Sequence, residues 1–283
     1  MEVGGYRVIR ELGRGGMGAV YEVERGGERF ALKVMLDGSA DRPDLVERFR
    51  REARVAAVVA SEHVVRVVEI GSERGAPFLV MELLDGTSVK DVLAKRGPLA
   101  PTRVCDVLVQ AARALDRAHT LGIVHRDLKP DNLYLHHAGR REIVKVLDFG
   151  VARLLDEDAT AITATGATIG SLHYMPPEQT DSHATTITAQ ADVWALGMIA
   201  VELLTGERYW GTIKPTRLVT TLLSGRLEPP RKRWPERDLP IALDAWFARS
   251  CAHTPSARFG TTGEQAAALA AIYGFKDRRA RSR

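Results

Sequence analysis

Two cysteines in 283 residues are too few for a disulfide framework, and Cys105 and Cys251 stand at no metal-ligand spacing. A reducing, cytoplasmic setting is therefore expected. Long apolar runs are missing as well. None approaches the ~18–20 residues that a membrane helix needs, and the longest candidate, residues 193–204, carries Glu202. Met1 is followed by Glu2 and the pair Gly4-Gly5 rather than by a basic and then an apolar stretch, so no secretory leader is expected. Net charge is scarce too. Lys and Arg number 40 against 36 Asp and Glu, a balance of +4. Residues 276–283 hold five basic side chains and Asp277, and they account for all of it. The remaining body is formally neutral, which argues against nucleic acid as a partner. The basic tail is expected to be a solvated terminus. The sharper alternative is a weak, salt-dependent contact with an acidic partner or a membrane surface.

What is present is a hydrophobic fraction of 45% with 27% charged residues, enough to bury a core. The first third alternates in the manner of strands at residues 6–12, 19–24 and 28–34, the last two joined by the hairpin signal Gly26-Gly27. Pro43-Asp44 supplies a start for a charged helix through Glu47, Phe49, Glu52 and Val55. Further strands are expected at 64–70 and 78–82, completing a five-stranded sheet. Beyond the turn at Asp85-Gly86 the pattern becomes helical. Val104, Val107, Leu108, Ala111, Leu115 and Ala118 recur at helical spacing. Residues 192–205 are apolar almost all round, the mark of a buried helix that includes Trp194. Helical patterning returns over 241–271. The expected architecture is α+β: a small antiparallel-sheet lobe with one main helix over residues 1–83, a larger helical lobe over 84–272, and the tail 273–283. Residues 156–171 are polar and aperiodic, a length of loop that is usually functional or disordered.

Gly13, Gly15 and Gly18 stand in the pattern Gly-x-Gly-x-x-Gly-x-Val ending at Val20. Glycine lets main-chain N–H groups approach phosphate oxygens, although a glycine-rich hairpin is equally a plain turn. These glycines precede a strand rather than a helix, which disfavours dinucleotide and Walker-type loops. Lys33 follows Gly18 by 15 positions, flanked by Ala31, Leu32 and Val34. An exposed strand cation would read the same way; the functional alternative is a clamp on nucleotide phosphates held by Glu52. The run His125-Arg126-Asp127-Leu128-Lys129-Pro130-Asp131-Asn132, then a strand at 143–147 and Asp148-Phe149-Gly150, decides between these readings.

With these motifs in this order, the chain resembles the eukaryotic-type serine/threonine protein kinases, including bacterial ones, from about Tyr6 to Ile272. The resemblance implies a bilobal kinase fold that transfers the γ-phosphoryl group of ATP, with Mg2+ and Mn2+ as a substitute, to Ser/Thr hydroxyls of protein substrates. It implies that Gly13, Gly15 and Gly18 cover the phosphates, and that Lys33 holds the α- and β-phosphates while paired with Glu52. Asp127 would orient the acceptor hydroxyl, Lys129 would neutralise charge on the transferred group, and Asn132 and Asp148 would bind the metal. Leu12, Val20 and Ala31 would roof the adenine, with Met81 as gatekeeper, Glu82 and Leu84 as hinge, and Tyr134 on a floor that is usually aliphatic. Phe149 with His125, the Glu178–Arg258 pair and Asp192 under the His125-Arg126 turn would be scaffold.

Retention of Lys33, Asp127 and Asp148 disfavours a non-catalytic scaffold of the same fold. Lys129 and the segment Gly170-Ser171-Leu172-His173-Tyr174-Met175-Pro176-Pro177-Glu178 disfavour small-molecule phosphotransferases, and Ser171 disfavours tyrosine kinases. Arg126 beside Asp127 implies control by a phosphate on the loop, expected at Thr163 or Thr165. Ala56, one turn after Glu52, is small for its place in the packed column through Phe149 and His125, which points to activation by a partner or homodimer. His119, His136 and His137 are expected to be surface or packing residues, and Cys105 a packing residue.

Overall fold

Gly26 and Gly27 both take positive φ, 61° and 83°, and close a hairpin in which Arg25 faces Glu28. Positive φ at both central residues matches the right-handed twist of the strands they join. The computed structural model describes residues 1–15, 18–35, 42–149, 171–180, 187–225 and 227–277; the side chains of residues 48, 52, 215 and 216 also lie outside the description. Six strands form the first sheet: β1 (Glu2–Val3), β2 (Tyr6–Arg14), β3 (Gly18–Arg25), β4 (Glu28–Met35), β5 (Val67–Glu73) and β6 (Ala76–Glu82). Their order is β1-β2-β3-β4-β6-β5 and every pairing is antiparallel.

The expected five strands are thus six, because Glu2–Val3 adds a two-residue edge. The strand expected at 64–70 begins only at Val67. Val64 instead forms a parallel bridge with Val146 of the second lobe, so the apolar run is shared between two partners.

Side-chain alternation divides this sheet into two faces. Tyr6, Val23, Leu32, Phe78 and Val80 pack on one side. Met35 and Leu79 pack on the other against Phe49 and Ala53 of helix α1 (Pro43–Val58). Lys33 lies two residues before Met35, with Leu79 as its cross-strand partner.

The second lobe opens with β7 (Gly86–Ser88), α2 (Val89–Arg96) and α3 (Pro101–His119). A 3₁₀ turn, Pro130–Asn132, leads into the hairpin β8 (Leu133–Ala138) and β9 (Arg141–Val146), with sheet order β7-β8-β9. Helix α4 (Gln190–Thr205) is buried along nearly its whole length, which is why its sequence is apolar on all faces. It is surrounded by α3, α7 (Ile241–Ser250) and α8 (Thr262–Ile272), while α5 (Pro215–Leu223) and the short α6 (Pro230–Arg233) sit peripherally. The helical pattern over 241–271 is therefore two helices, broken by a 3₁₀ turn at Pro255–Ala257. Phe275 packs on this core and Asp277 pairs with Arg113 on α3, so the described part of the tail is attached to the lobe. Among the described residues no helix is long and apolar enough to cross a membrane.

Candidate active site

The glycine turn, β4 and the segment after β9 converge at one end of the first sheet. Gly15 N–H donates to Gly18 O at 2.9 Å, closing the β2–β3 turn. The three glycines have different reasons to be glycine. A Cβ on Gly18 would stand 2.3 Å from the Val34 carbonyl oxygen, whereas at Gly13 and Gly15 it would meet nothing within 4 Å among the described residues. Gly18 is thus required by strand packing, while Gly13 and Gly15 leave open space at the mouth of the turn, a cradle that suits phosphate. Leu12 is exposed, Val20 half-buried and Ala31 buried.

Lys33 Nζ donates to Asp148 Oδ1 at 2.8 Å; the two side chains are 16% and 55% exposed. The Lys33 charge, against the opposing effect of burial, holds the Asp148 carboxyl below the usual carboxylate range. Glu52 lies on α1, but its side chain falls outside the described residues, and so does the expected Lys33–Glu52 pair. Gly150, Thr163 and Thr165 lie outside them too.

The turn between α3 and the 3₁₀ segment carries the densest polar network. Lys129 Nζ donates to Asp127 Oδ2 at 2.7 Å and to Ser171 Oγ at 3.0 Å. Asn132 Nδ2 donates to the Asp127 carbonyl at 2.8 Å, which leaves its Oδ1 as an acceptor. Phe149 is buried with its ring centroid 5.0 Å from that of His125, and His125 Nε2 meets the Leu147 carbonyl at 2.9 Å. Arg126 and Asp148 both adopt positive φ, 65° and 46°. Non-glycine residues held there cost about 1–3 kcal/mol each and persist only where neighbours enforce them.

Asp192 provides that enforcement for Arg126. Fully buried at the start of α4, it accepts His125 N–H at 2.9 Å, Arg126 N–H at 3.0 Å and His119 Nε2 at 2.7 Å. His119, expected at the surface or in packing, therefore belongs to this network. Residues Asp192 and His119 are 73 apart in sequence, so local pattern carries no sign of the contact. His136 Nδ1 likewise contacts the Asp85 main chain at 3.1 Å. His137 is exposed on β8.

Along the connection between lobes, Met81, Glu82 and Leu84 are half-buried. Glu82, expected as a hinge residue, also pairs through its side chain. Its Oε1 accepts Lys145 Nζ at 2.6 Å and Arg66 N–H at 2.8 Å, and Lys145, on β9, is itself buried. The sequence signal for Lys145 matched that for Lys33, a lysine among apolar neighbours, here Ile143, Val144 and Val146. Tyr134, on β8 opposite Ser88, is half-buried with its pKa raised by burial, then by Asp85 and Asp91.

In the second lobe, Arg258 fills its guanidinium fork. Nη1 and Nη2 meet Glu178 Oε1 and Oε2 at 2.7 and 2.8 Å, and Nε meets the Ala252 carbonyl at 2.8 Å. Gln179 Nε2 donates to the Arg126 carbonyl at 3.0 Å, tying this segment to the network above. Cys105 is fully buried on α3 and its thiol is pushed up to about 11 by that burial.

Among the described residues no group of three His, Cys, Asp or Glu side chains is placed to hold a metal by protein ligands alone. Asn132 and Asp148 offer two oxygens on adjoining segments, where Leu147 N–H donates to the Asn132 carbonyl at 2.9 Å. That donor set fits a hard divalent cation completed by phosphate oxygens and water.

A family model described as protein kinase domain matches residues 6–253. The serine/threonine-protein kinase Pkn1 of Myxococcus xanthus is 39% identical over 264 residues, covering 91% of this chain and 37% of that protein. PknH of Mycobacterium bovis is 36% identical over 267 residues, covering 94% and 43%. The crystal structure of the Mycobacterium tuberculosis PknI kinase domain superposes with a TM-score of 0.74 at 28% identity, covering 97% of this chain and 98% of that one. The chain spans less than half the length of the curated relatives just described.

Proposed function

The chain belongs to the protein kinase domain family, and from that premise we propose that it transfers the γ-phosphoryl group of ATP to serine or threonine hydroxyls of proteins. The observation that carries this reading is Lys129, whose ammonium touches both Asp127 and Ser171. A carboxylate, a cation and a hydroxyl-bearing segment thereby meet at one point. Phosphoryl transfer asks the protein for position and charge neutralisation more than for covalent help, and this set supplies both.

In this mechanism Gly13 and Gly15 admit the phosphates against the β2–β3 turn, and Lys33 releases Asp148 to bind the α- and β-phosphates. Glu52 is assigned to steady Lys33 in that state. Met81, Glu82 and Leu84 line the adenine edge, with Leu12, Val20 and Ala31 above and Tyr134 below. Asp127 orients the acceptor hydroxyl and takes its proton at a carboxylate oxygen, and Lys129 faces the charge that grows on the transferred group. Bound magnesium, with manganese as a substitute, would neutralise phosphate oxygens, and Asp148 and Asn132 are the residues that would hold it.

We assign the nucleotide-binding lobe to residues 1–83, the acceptor-binding lobe to 84–272 and the basic tail to 273–283, and place the reaction in the cytoplasm. Desolvation lowers the Arg126 pKa against the pull of Asp192, so an anion beside it would be stabilising. This supports activation by autophosphorylation at Thr163 or Thr165, assisted by a second copy of the chain. The test is transfer of labelled phosphate by the wild type and by Asp127→Asn. Incorporation by the wild type alone is expected; equal incorporation by both overturns the mechanism. Mass spectrometry of active protein showing neither Thr163 nor Thr165 modified overturns the regulatory part.

A further inference from the structure

Beside the transfer site, where segment Ser171–Tyr174 meets the turn Pro130–Asn132, lies a cluster of charged groups with no role in the chemistry above. Lys90 on α2 donates to Asp131 Oδ1 at 2.5 Å. Tyr174 OH donates to Glu202 Oε2 at 2.6 Å, and Arg208 Nε stands 3.8 Å from Glu202 Oε1. Lys129, two residues before Asp131, holds Ser171 at the head of the segment that Tyr174 ends, which joins the two groups, and the Asp131 charge adds a minor upward push to the Tyr174 and Glu202 pKa values. Burial raises the Glu202 pKa against the Tyr174 hydrogen bond and the Arg208 charge. Two carboxylates are matched by two cations, all from this chain.

The position of the cluster gives it meaning. Ser171, at the start of the segment that Tyr174 ends, is held by Lys129, and Asp131 is two residues past Lys129. A peptide presenting a hydroxyl to Asp127 would run along this segment. Without Lys90, it would meet a half-exposed carboxylate backed by a second, buried one, which is a socket for arginine or lysine. With Lys90 in place, a basic side chain must displace one ion pair to form another and approach an ammonium of its own sign, so the exchange gains nothing.

Resting on the protein-kinase reading, we propose that Lys90 sets acceptor selectivity: by occupying Asp131 it makes the chain take Ser/Thr acceptors that lack a basic residue beside the hydroxyl. Arg208 performs the same service for Glu202 deeper in the cluster. The pair is half-exposed, with Lys90 52% and Asp131 37% accessible, so its effect falls on selectivity far more than on stability.

The experiment uses the full chain and a neutral host peptide with one threonine, plus variants carrying arginine at each of the four positions on either side of it. Wild type is expected to phosphorylate the host at least as well as every arginine variant. Lys90→Ala should leave host turnover and melting temperature essentially unchanged. It should raise kcat/KM roughly fivefold to tenfold for arginine at one register, the gain of one charge-assisted contact. Adding Asp131→Asn to Lys90→Ala should erase that gain. A wild-type preference for arginine at any register of about tenfold or more, or a Lys90→Ala variant with no gain at any register, overturns the proposal. Failure of the wild type to phosphorylate the host, the arginine variants or itself refutes the kinase reading instead, and the proposal with it.

Discussion

Replacing Asp192 by alanine tests whether the His125-Arg126-Asp127 turn is held in place or merely happens to be there. The carboxylate is fully buried and accepts from three donors, at 2.7, 2.9 and 3.0 Å. Truncation leaves the buried His125 N–H and the half-buried Arg126 N–H and His119 ring without their acceptor, at up to about 1–3 kcal/mol each. Breaking a buried ionic contact in other proteins costs about 3–5 kcal/mol. A loss near ~4 kcal/mol is expected, or ~8–16 °C in melting temperature for a domain of this size. Asp192→Asn keeps the shape and one acceptor oxygen but turns an NH2 toward a donor, so about half that loss should follow. Arg126 would then be free to leave its φ of 65°, and the geometry at Asp127 would relax with it.

A displacement of even ~1 Å there can lower turnover roughly a hundredfold. Burial pushes the Asp192 pKa up, but the hydrogen bond and charge of His119, then His125, outweigh it and the net direction is down. A depressed carboxylate contributes stability above its unfolded pKa of about 3.9 and loses it as pH falls through the folded value. The gap between wild type and Asp192→Ala should therefore be present above about pH 5 and close in acid. Urea unfolding monitored by circular dichroism, alongside phosphate transfer, measures both effects. An alanine variant within about 1 kcal/mol of wild type, with turnover intact, would refute the reasoning.

Lys33→Met should separate activity from stability: its partner Asp148 is 55% exposed, so unfolding should shift by less than about 1 kcal/mol while transfer falls at least ~100-fold. Matched losses of both would contradict the assigned role. Glu178→Gln leaves the guanidinium of Arg258, whose side chain is 0% exposed, without its counter-charge, and about 3–5 kcal/mol should be lost in denaturant titration. Arg258→Lys should fare little better, since one ammonium cannot reproduce contacts to Glu178, Ala252, Gln190 and His253. Burial pushes the Cys105 thiol to about 11 and raises Cys251 as well, so at pH 8 both should be labelled by a thiol reagent only after unfolding. Rapid labelling of the native protein would show that the α3–α4–α7 core opens readily.

What could be read from the sequence was what neighbours along the chain determine. The Gly26-Gly27 hairpin needs positive φ twice, and only glycine offers that freely. The helix under Pro43 and the all-apolar α4 follow from start signals and burial on every face. Contacts that close over long loops were not legible. Val64 and Val65 read as the beginning of a strand, yet their partner is Val146 in the other lobe. Glu82 read only as part of the hinge, although its carboxylate meets Lys145, 63 residues on. The motif residues Lys33, Asp127, Lys129, Asn132 and Asp148 were nameable because their order along the chain resembles that of the protein kinases. Their mutual geometry, including Lys33 against Asp148, depends on how two lobes meet.

That meeting has a consequence for synthesis. Val146 N–H donates to the His63 carbonyl at 2.8 Å, His63 Nδ1 contacts the Val144 carbonyl at 3.1 Å, and Lys145 completes the Glu82 carboxylate. The first sheet can pair its strands as soon as residue 82 emerges from the ribosome. Its joint to the rest of the molecule waits for residues 144–146, some seconds later at ~5–20 residues per second. During that interval Glu82 lacks its lysine partner and the 63–66 edge is open to water. A nascent chain with 90 to 140 residues outside the ribosome should therefore be protease-sensitive at this edge, and emergence of residue 146 should seal it.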